Sequence, residues 1–110
     1  MNVEKLFSEW RDSVERYAKA RAEVVYLTEF RKSKKAMLTQ QAEVEGHKTG
    51  QERESYAYAH PEYLELLLGL KAAVEVSENL RYRMQIAQER IGIYRTHEAS
   101  KRREFGNYGN

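Results

Sequence analysis

The stretch Gly46-His47-Lys48-Thr49-Gly50 separates two long segments in which apolar residues recur with helical spacing. The segment before it, residues 3–45, contains no proline, and the only proline of the chain, Pro61, opens the segment that follows. Glycine favours turns, whereas proline is well tolerated in the first turn of a helix. The pattern therefore predicts an all-α chain with helices over residues 3–45, 50–59 and 61–104.

Local capping signals support these boundaries. Asn2 directly precedes Val3, where the predicted helix begins, and is a suitable N-cap for it. Thr49 and Glu52 have the spacing of a capping box, in which two side chains bond the free N–H groups at a helix start. The run Arg-Lys-Ser-Lys-Lys over residues 31–35 has no apolar position, so the sequence leaves open whether the first helix bends there.

The apolar pattern also predicts how the helices associate. The two long helices are expected to pair antiparallel as a hairpin, with the short helix between them. In the last helix, a second apolar row widens the stripe beyond what one partner helix covers, so a dimer forming a four-helix bundle is expected. This row contains Tyr63, Leu67, Val74, Ile86 and Ile93. The Gly- and Asn-rich residues 105–110 are expected to form a flexible tail.

Composition excludes several classes of protein. The net charge is +2. This charge is too small to indicate nucleic-acid binding by itself, and it does not fit a DNA mimic, which needs a strongly acidic surface. The absence of cysteine removes disulfides and thiolate chemistry. No apolar run approaches the roughly 20 residues that a bilayer requires, and the charged N-terminus does not fit a signal peptide. A cytoplasmic protein that makes no contact with membranes is expected.

The sequence offers little for catalysis or for metal binding. Gly46-His47-Lys48-Thr49 resembles the end of a phosphate-binding loop, but the motif requires glycine where Gln41 stands and lysine where His47 stands. The other histidines, His60 and His97, have no Glu-x-x-His or His-Glu-x-x-His partner residues. We expect no enzyme activity, no metal site and no cofactor.

Clusters of lysine and arginine are the most distinctive charge pattern in the sequence. Cations that follow phosphates, with aromatic rings that stack on bases, form a surface for single-stranded nucleic acid. An acidic protein partner would use the same charges, and solvated helix faces would also account for them. The candidate residues are Arg31, Lys32, Lys34, Lys35, Arg81, Tyr82 and Arg83.

A tyrosine-rich segment lies at the predicted turn between the long helices. Exposed tyrosines are typical of partner surfaces, because they provide a large contact area at a low entropic cost. Alternatively, these rings cap the end of the helical core. The candidate residues are Tyr56, Tyr58, His60 and Tyr63.

Several short motifs, spread over residues 25–100, resemble a family of small helical proteins from tailed phages and prophages. They are Val25-Tyr-Leu-Thr-Glu-Phe-Arg-Lys-Ser-Lys-Lys35, Tyr58-Ala-His-Pro-Glu-Tyr63, Gly69-Leu-Lys-Ala-Ala73, Glu78-Asn-Leu-Arg-Tyr-Arg-Met84, Ala87-Gln-Glu-Arg-Ile91 and Tyr94-Arg-Thr96. The family has no assigned activity, and its members often occur near recombination or single-strand-annealing functions. The resemblance implies a phage accessory protein that acts in the bacterial cytoplasm.

The leading expectation is therefore a non-catalytic phage accessory factor in recombination or replication. It would bind single-stranded DNA or a protein bound to that DNA. The alternative is a phage-encoded protein that inhibits a host defence or repair complex by occupying its surface. A third hypothesis, a virion-assembly or scaffold component, depends only on the long helices.

Overall fold

The structure, a computed structural model, describes residues 2–108. It contains three helices: α1 at Val3–Val44, α2 at Gly50–Ala59 and α3 at Pro61–Tyr108. No strand occurs within these described residues. The predicted all-α class is confirmed, and all three helices begin where the sequence predicted.

Helix α1 begins at the predicted cap and is continuous to its end. The Lys5 N–H donates to Oδ1 of Asn2 at 3.2 Å, so the Asn2 side chain bonds a free N–H group of the first turn. The basic run over residues 31–35 remains helical throughout, because lysine and arginine are good helix formers. Lys32 also pairs with Glu29 one turn earlier, at 3.3 Å. The cationic turn therefore does not interrupt the helix.

Gly46 ends α1 in a Schellman motif. Its φ of +98° is left-handed, a conformation in which a side chain would be strained. The His47 N–H donates to the Ala42 carbonyl at 3.0 Å, and the Gly46 N–H donates to the Glu43 carbonyl at 3.1 Å. This pair of bonds defines the motif and satisfies carbonyl groups at the end of the helix.

The predicted capping box starts α2. The Glu52 N–H donates to the Thr49 hydroxyl at 3.1 Å. The Glu52 carboxylate reaches back and accepts from the Lys48 N–H, also at 3.1 Å. The reciprocal bond therefore lies one residue earlier than in the standard box, where the N-cap N–H is the donor.

The segment His60-Pro61 joins α2 to α3 without an intervening loop. The His60 N–H donates to the Ala57 carbonyl at 3.3 Å and so terminates α2. Nδ1 of His60 accepts from the Glu62 N–H at 3.0 Å, at the start of α3. Pro61 needs no acceptor in this first turn, because it has no N–H. One histidine thus caps two successive helices.

Helix α3 is longer than predicted. It continues to Tyr108, whereas the sequence placed its end at residue 104 and expected a flexible tail from residue 105. Residues 105–108 are helical, because one glycine costs only about 1 kcal/mol relative to alanine when an existing helix propagates. Residues 109 and 110, also assigned to the tail, lie outside the described residues.

The chain divides into two compact units. Within the described residues, unit 1 comprises residues 2–19, with the start of α1, and residues 78–108 of α3, and it buries Leu6, Ala87 and Ile91. Unit 2 comprises residues 20–77 and therefore contains α2. The hairpin and the dimer stay predictions.

The main apolar cluster lies in unit 2. Leu38 of α1, Ala57 of α2 and Tyr63 of α3 are buried together, and Leu67 packs against them. Tyr63 and Leu67 of the second apolar row thus have partners within the chain. Three other members of that row, Val74, Ile86 and Ile93, remain exposed.

The helices of the described chain are not of the transmembrane type. Over residues 2–108, no helix combines the length and the apolar character needed to cross a bilayer.

Candidate interaction surfaces

Three of the four cations in the basic run of α1 are paired with carboxylates. Nζ of Lys34 lies 3.1 Å from Glu62 of α3, and Nζ of Lys35 lies 3.1 Å from Glu54 of α2. Lys32 is paired with Glu29 on its own helix. Lys34 and Lys35 therefore connect α1 to the neighbouring helices, which reduces the positive charge that this run offers to a phosphate backbone. The fourth cation, Arg31, is half-buried.

Lys35 also contacts the tyrosine-rich segment. Its Nζ lies 4.5 Å from the centroid of the Tyr58 ring, within the range of a cation–π contact. This contact with Tyr58 and the hydrogen bond to Glu54 raise the pKa of Lys35 above its ordinary value. The basic run and the tyrosine-rich segment, predicted as separate sites, meet at this lysine.

The second basic cluster lies on α3 in unit 1. Nη2 of Arg81 lies 2.7 Å from the Glu78 carboxylate, and this hydrogen bond raises the pKa of Arg81. The guanidinium carbon lies 4.8 Å from the centroid of the Tyr82 ring. Tyr82 and Arg83 are both exposed, so this cluster is open to solvent while its first cation is already paired.

Most of the predicted tyrosine surface is occupied by contacts within the chain. Tyr63 is only 7% exposed and belongs to the core. The Tyr58 ring packs edge-on against it, with centroids 5.4 Å apart. Tyr58 keeps one exposed side and is the best candidate for an external contact among these residues.

Tyr56 lies between two histidines. Its ring centroid is 5.2 Å from that of His47 and 5.6 Å from that of His60. Its hydroxyl accepts from Nε2 of Gln41 at 3.0 Å. Partial burial and the nearby Glu45 carboxylate raise the pKa of Tyr56. The ring therefore helps to hold α2 against α1, and His60 is already used as a double cap.

No metal site is assembled from these groups. In the part of the chain that the structure describes, no three histidine, aspartate or glutamate side chains are grouped closely enough to hold a metal ion.

The structure adds an apolar row on the solvent side of α3. Tyr82, Ile86 and Ile93 are between 53% and 61% exposed. Their spacing of four and then seven residues keeps them on one helix face. We call these three residues the α3 outer row. The sequence placed Ile86 and Ile93 in one wide stripe with the core residue Tyr63. It placed Tyr82 in the cationic cluster that would bind nucleic acid or an acidic partner.

A comparable row lies on α1 within unit 2. Tyr26, Phe30, Met37 and Val44 follow steps of four and seven residues and then seven again. Three of them are between 48% and 87% exposed, and Phe30 is half-buried. The Tyr26 and Phe30 rings stack with centroids 5.9 Å apart. We call these four residues the α1 outer row.

No protein family, curated protein or solved structure matches this chain.

Proposed function

We infer that this chain is a non-catalytic protein-binding module and that its partner docks on the α3 outer row. The observation that carries this proposal is the exposure of Tyr82, Ile86 and Ile93 on one face of α3. Apolar groups that cluster on a protein surface are typical of interaction sites. Glu89, which is exposed on the same face between Ile86 and Ile93, adds a carboxylate to this row. Apolar rows at heptad spacing are complementary to an amphipathic helix, whose own apolar side chains pack between them.

The surroundings of the row favour a helical protein segment as the partner. Gly92, beside Ile93, has open space where a Cβ would lie, so a partner backbone is able to approach closely there. Arg83 and Arg90 flank the row on one side. Nη1 of Arg90 lies 3.7 Å from Glu9 of α1. A row of tyrosine and isoleucine bordered by arginine has the composition of an interface centre.

The groove beside Ile86 continues onto α1. Glu9 and Asp12 line it together with Arg83 and Arg90, so both signs of charge border the row. A partner with a mixed polar rim is therefore better matched to this surface than a uniformly anionic polymer.

Single-stranded DNA is the second candidate. The observation in its favour is the segment Arg81-Tyr82-Arg83, in which an exposed ring stands between two cations. The pairing of Arg81 with Glu78, and of Lys34 and Lys35 with carboxylates of unit 2, lowers the charge available to phosphates. Since phosphate contacts dominate nucleic-acid affinity, we rank this candidate second.

The resemblance to phage accessory proteins suggests where such a module acts. Occupying the surface of a host defence or repair protein, or of a DNA-bound recombination protein, requires contact area and no chemistry. Both roles agree with docking on an exposed apolar row.

The proposal is tested by comparing the proteins that wild-type and variant chains retain from a bacterial lysate. The double variant Ile86→Ser/Ile93→Ser removes both isoleucines of the row. The matched control is Leu64→Ser/Leu68→Ser, because both leucines are also exposed on α3. We expect the first variant to lose a protein that the wild type and the control retain. Circular dichroism of all three chains checks that they are equally helical.

A parallel titration separates the two candidates. Labelled single-stranded oligonucleotides are followed by fluorescence anisotropy at several salt concentrations, with wild type and Tyr82→Ala. We expect the wild type to bind the oligonucleotides weakly, and we expect Tyr82→Ala to have the same affinity. Tight, salt-sensitive binding that this variant weakens would instead support the DNA candidate. In the lysate experiment, the protein-binding proposal would be overturned if all three chains retained the same proteins.

A further inference from the structure

The α1 outer row has the features of a surface that pairs with a second copy of the chain. It lies wholly within unit 2 and is separate from the α3 outer row of the proposed function. Its apolar residues alternate with the exposed Ser33 and Gln40, so that residues 26, 30, 33, 37, 40 and 44 follow steps of four and three. This is the spacing of a coiled-coil seam, and no position in it is charged.

The size of the exposed surface suggests association. The chain exposes 8605 Å², whereas a compact monomer of 13.0 kDa exposes about 6,300 Å². The difference of about 2,300 Å² per chain exceeds the roughly 800 Å² that each partner contributes to a standard-sized interface. The chain therefore has enough uncovered surface for a dimer.

The charges that border the row are compensated within the chain. On one side, Glu29 is paired with Lys32, and Glu43 lies 4.0 Å from Arg53. On the other side, Lys34 is paired with Glu62. A border with charges of both signs, several of them already paired, neither selects a strongly charged partner nor strongly repels an identical chain. This property favours a second copy over nucleic acid or an acidic protein.

The positions of the row are symmetric about residue 35. In an antiparallel pair with its twofold axis there, residue 26 faces 44 of the other copy, 30 faces 40, and 33 faces 37. Tyr26 then lies against Val44, and Met37 against the small Ser33, so that large side chains meet smaller ones. Ser33 and Met37 are the facing pair closest to the axis. A twofold interface requires this kind of self-complementary surface.

We propose that the α1 outer row is the contact surface between two copies of this chain, paired antiparallel about a twofold axis near residue 35. This surface was not part of the sequence prediction of a dimer, which was based on the wide stripe of α3. It is also independent of the proposed function, because the two surfaces share no residue.

Sedimentation equilibrium tests the surface. The double variant Phe30→Arg/Met37→Arg introduces four like charges per dimer in the row, and Leu64→Arg/Leu68→Arg is the control with the same charge change on exposed α3 positions. We expect wild type and control to have twice the 13.0 kDa chain mass at high micromolar concentration, and the α1 variant to have the mass of one chain. Circular dichroism of the variants verifies that helicity is retained. A monomeric wild type, or an α1 variant that remains dimeric, would overturn the proposal.

Single cysteines test the orientation, since the natural chain has none. A mixture of Tyr26→Cys and Val44→Cys chains is expected to form a mixed disulfide on mild oxidation. A mixture of Ser33→Cys and Met37→Cys chains is expected to form a mixed disulfide as well, because these two positions face each other next to the axis. If Tyr26→Cys and Val44→Cys each cross-link only to themselves, the two helices are parallel and the proposed arrangement is wrong.

Discussion

Replacing Tyr63 by alanine is expected to lower the free energy of unfolding by about 3–5 kcal/mol, the range for removing a buried aromatic ring. Tyr63 is buried with Leu38 and Ala57, and its ring also packs against Tyr58. The substitution leaves a cavity at the place where all three helices meet. Urea denaturation followed by circular dichroism at 222 nm, a wavelength that reports helix content, measures the change.

Tyr82→Ala is the matched control, because it makes the same chemical change at an exposed position of the same helix. We expect it to change stability by less than about 0.5 kcal/mol, as is usual for surface substitutions. Equal effects of the two substitutions would contradict the assignment of Tyr63 to the core. They would return this residue to the candidate partner surface that the sequence suggested.

Leu38→Ala is expected to destabilise the chain by about 2–5 kcal/mol. Leu38 is only 2% exposed and is the α1 member of the same cluster. Its loss removes apolar contacts with both α2 and α3, so the helices of unit 2 should separate at a lower denaturant concentration. Thermal denaturation gives an independent reading of the same change.

Leu68→Ala provides the control for Leu38, since Leu68 is 66% exposed. This substitution removes the same atoms without leaving a cavity, and alanine has a slightly higher helix propensity than leucine. A stability within about 0.5 kcal/mol of the wild type is expected. If Leu38→Ala were as mild as Leu68→Ala, the packing described for unit 2 would be incorrect.

The helix boundaries were predictable because they depend on local chemistry. Gly46 is required for its left-handed backbone, Thr49 bonds an N–H three residues later, and Pro61 fits only the first turn of a helix. Each of these signals acts within a few residues, and so the sequence alone is sufficient to interpret them. The predicted end of α3 was wrong, because a long helix continues into the Gly- and Asn-rich residues that the sequence assigned to a tail.

The surroundings of the candidate side chains were not predictable in the same way. Lys34 pairs with Glu62, and Lys35 pairs with Glu54. Both contacts depend on how α2 and α3 pack against α1. From the sequence, these lysines had the appearance of free cations. The same tertiary contacts place Tyr63 in the core and Tyr58 at its edge.

The α1 outer row was missed for a different reason. In α1, buried and exposed apolar residues are interleaved along the chain, as at Val24, Val25 and Tyr26. A single sequence shows that two apolar rows are present, but it does not show which of them a neighbouring helix covers. Burial in the folded chain makes that distinction.

Site-specific photocrosslinking tests the central claim, that the α3 outer row docks a protein partner. A photoreactive phenylalanine analogue is placed at position 86 or 93, with position 68 as the exposed control on the same helix. After irradiation in bacterial lysate, we expect a discrete protein adduct from positions 86 and 93 and none from position 68. The same adducts from position 68, or none from positions 86 and 93, would contradict the claim.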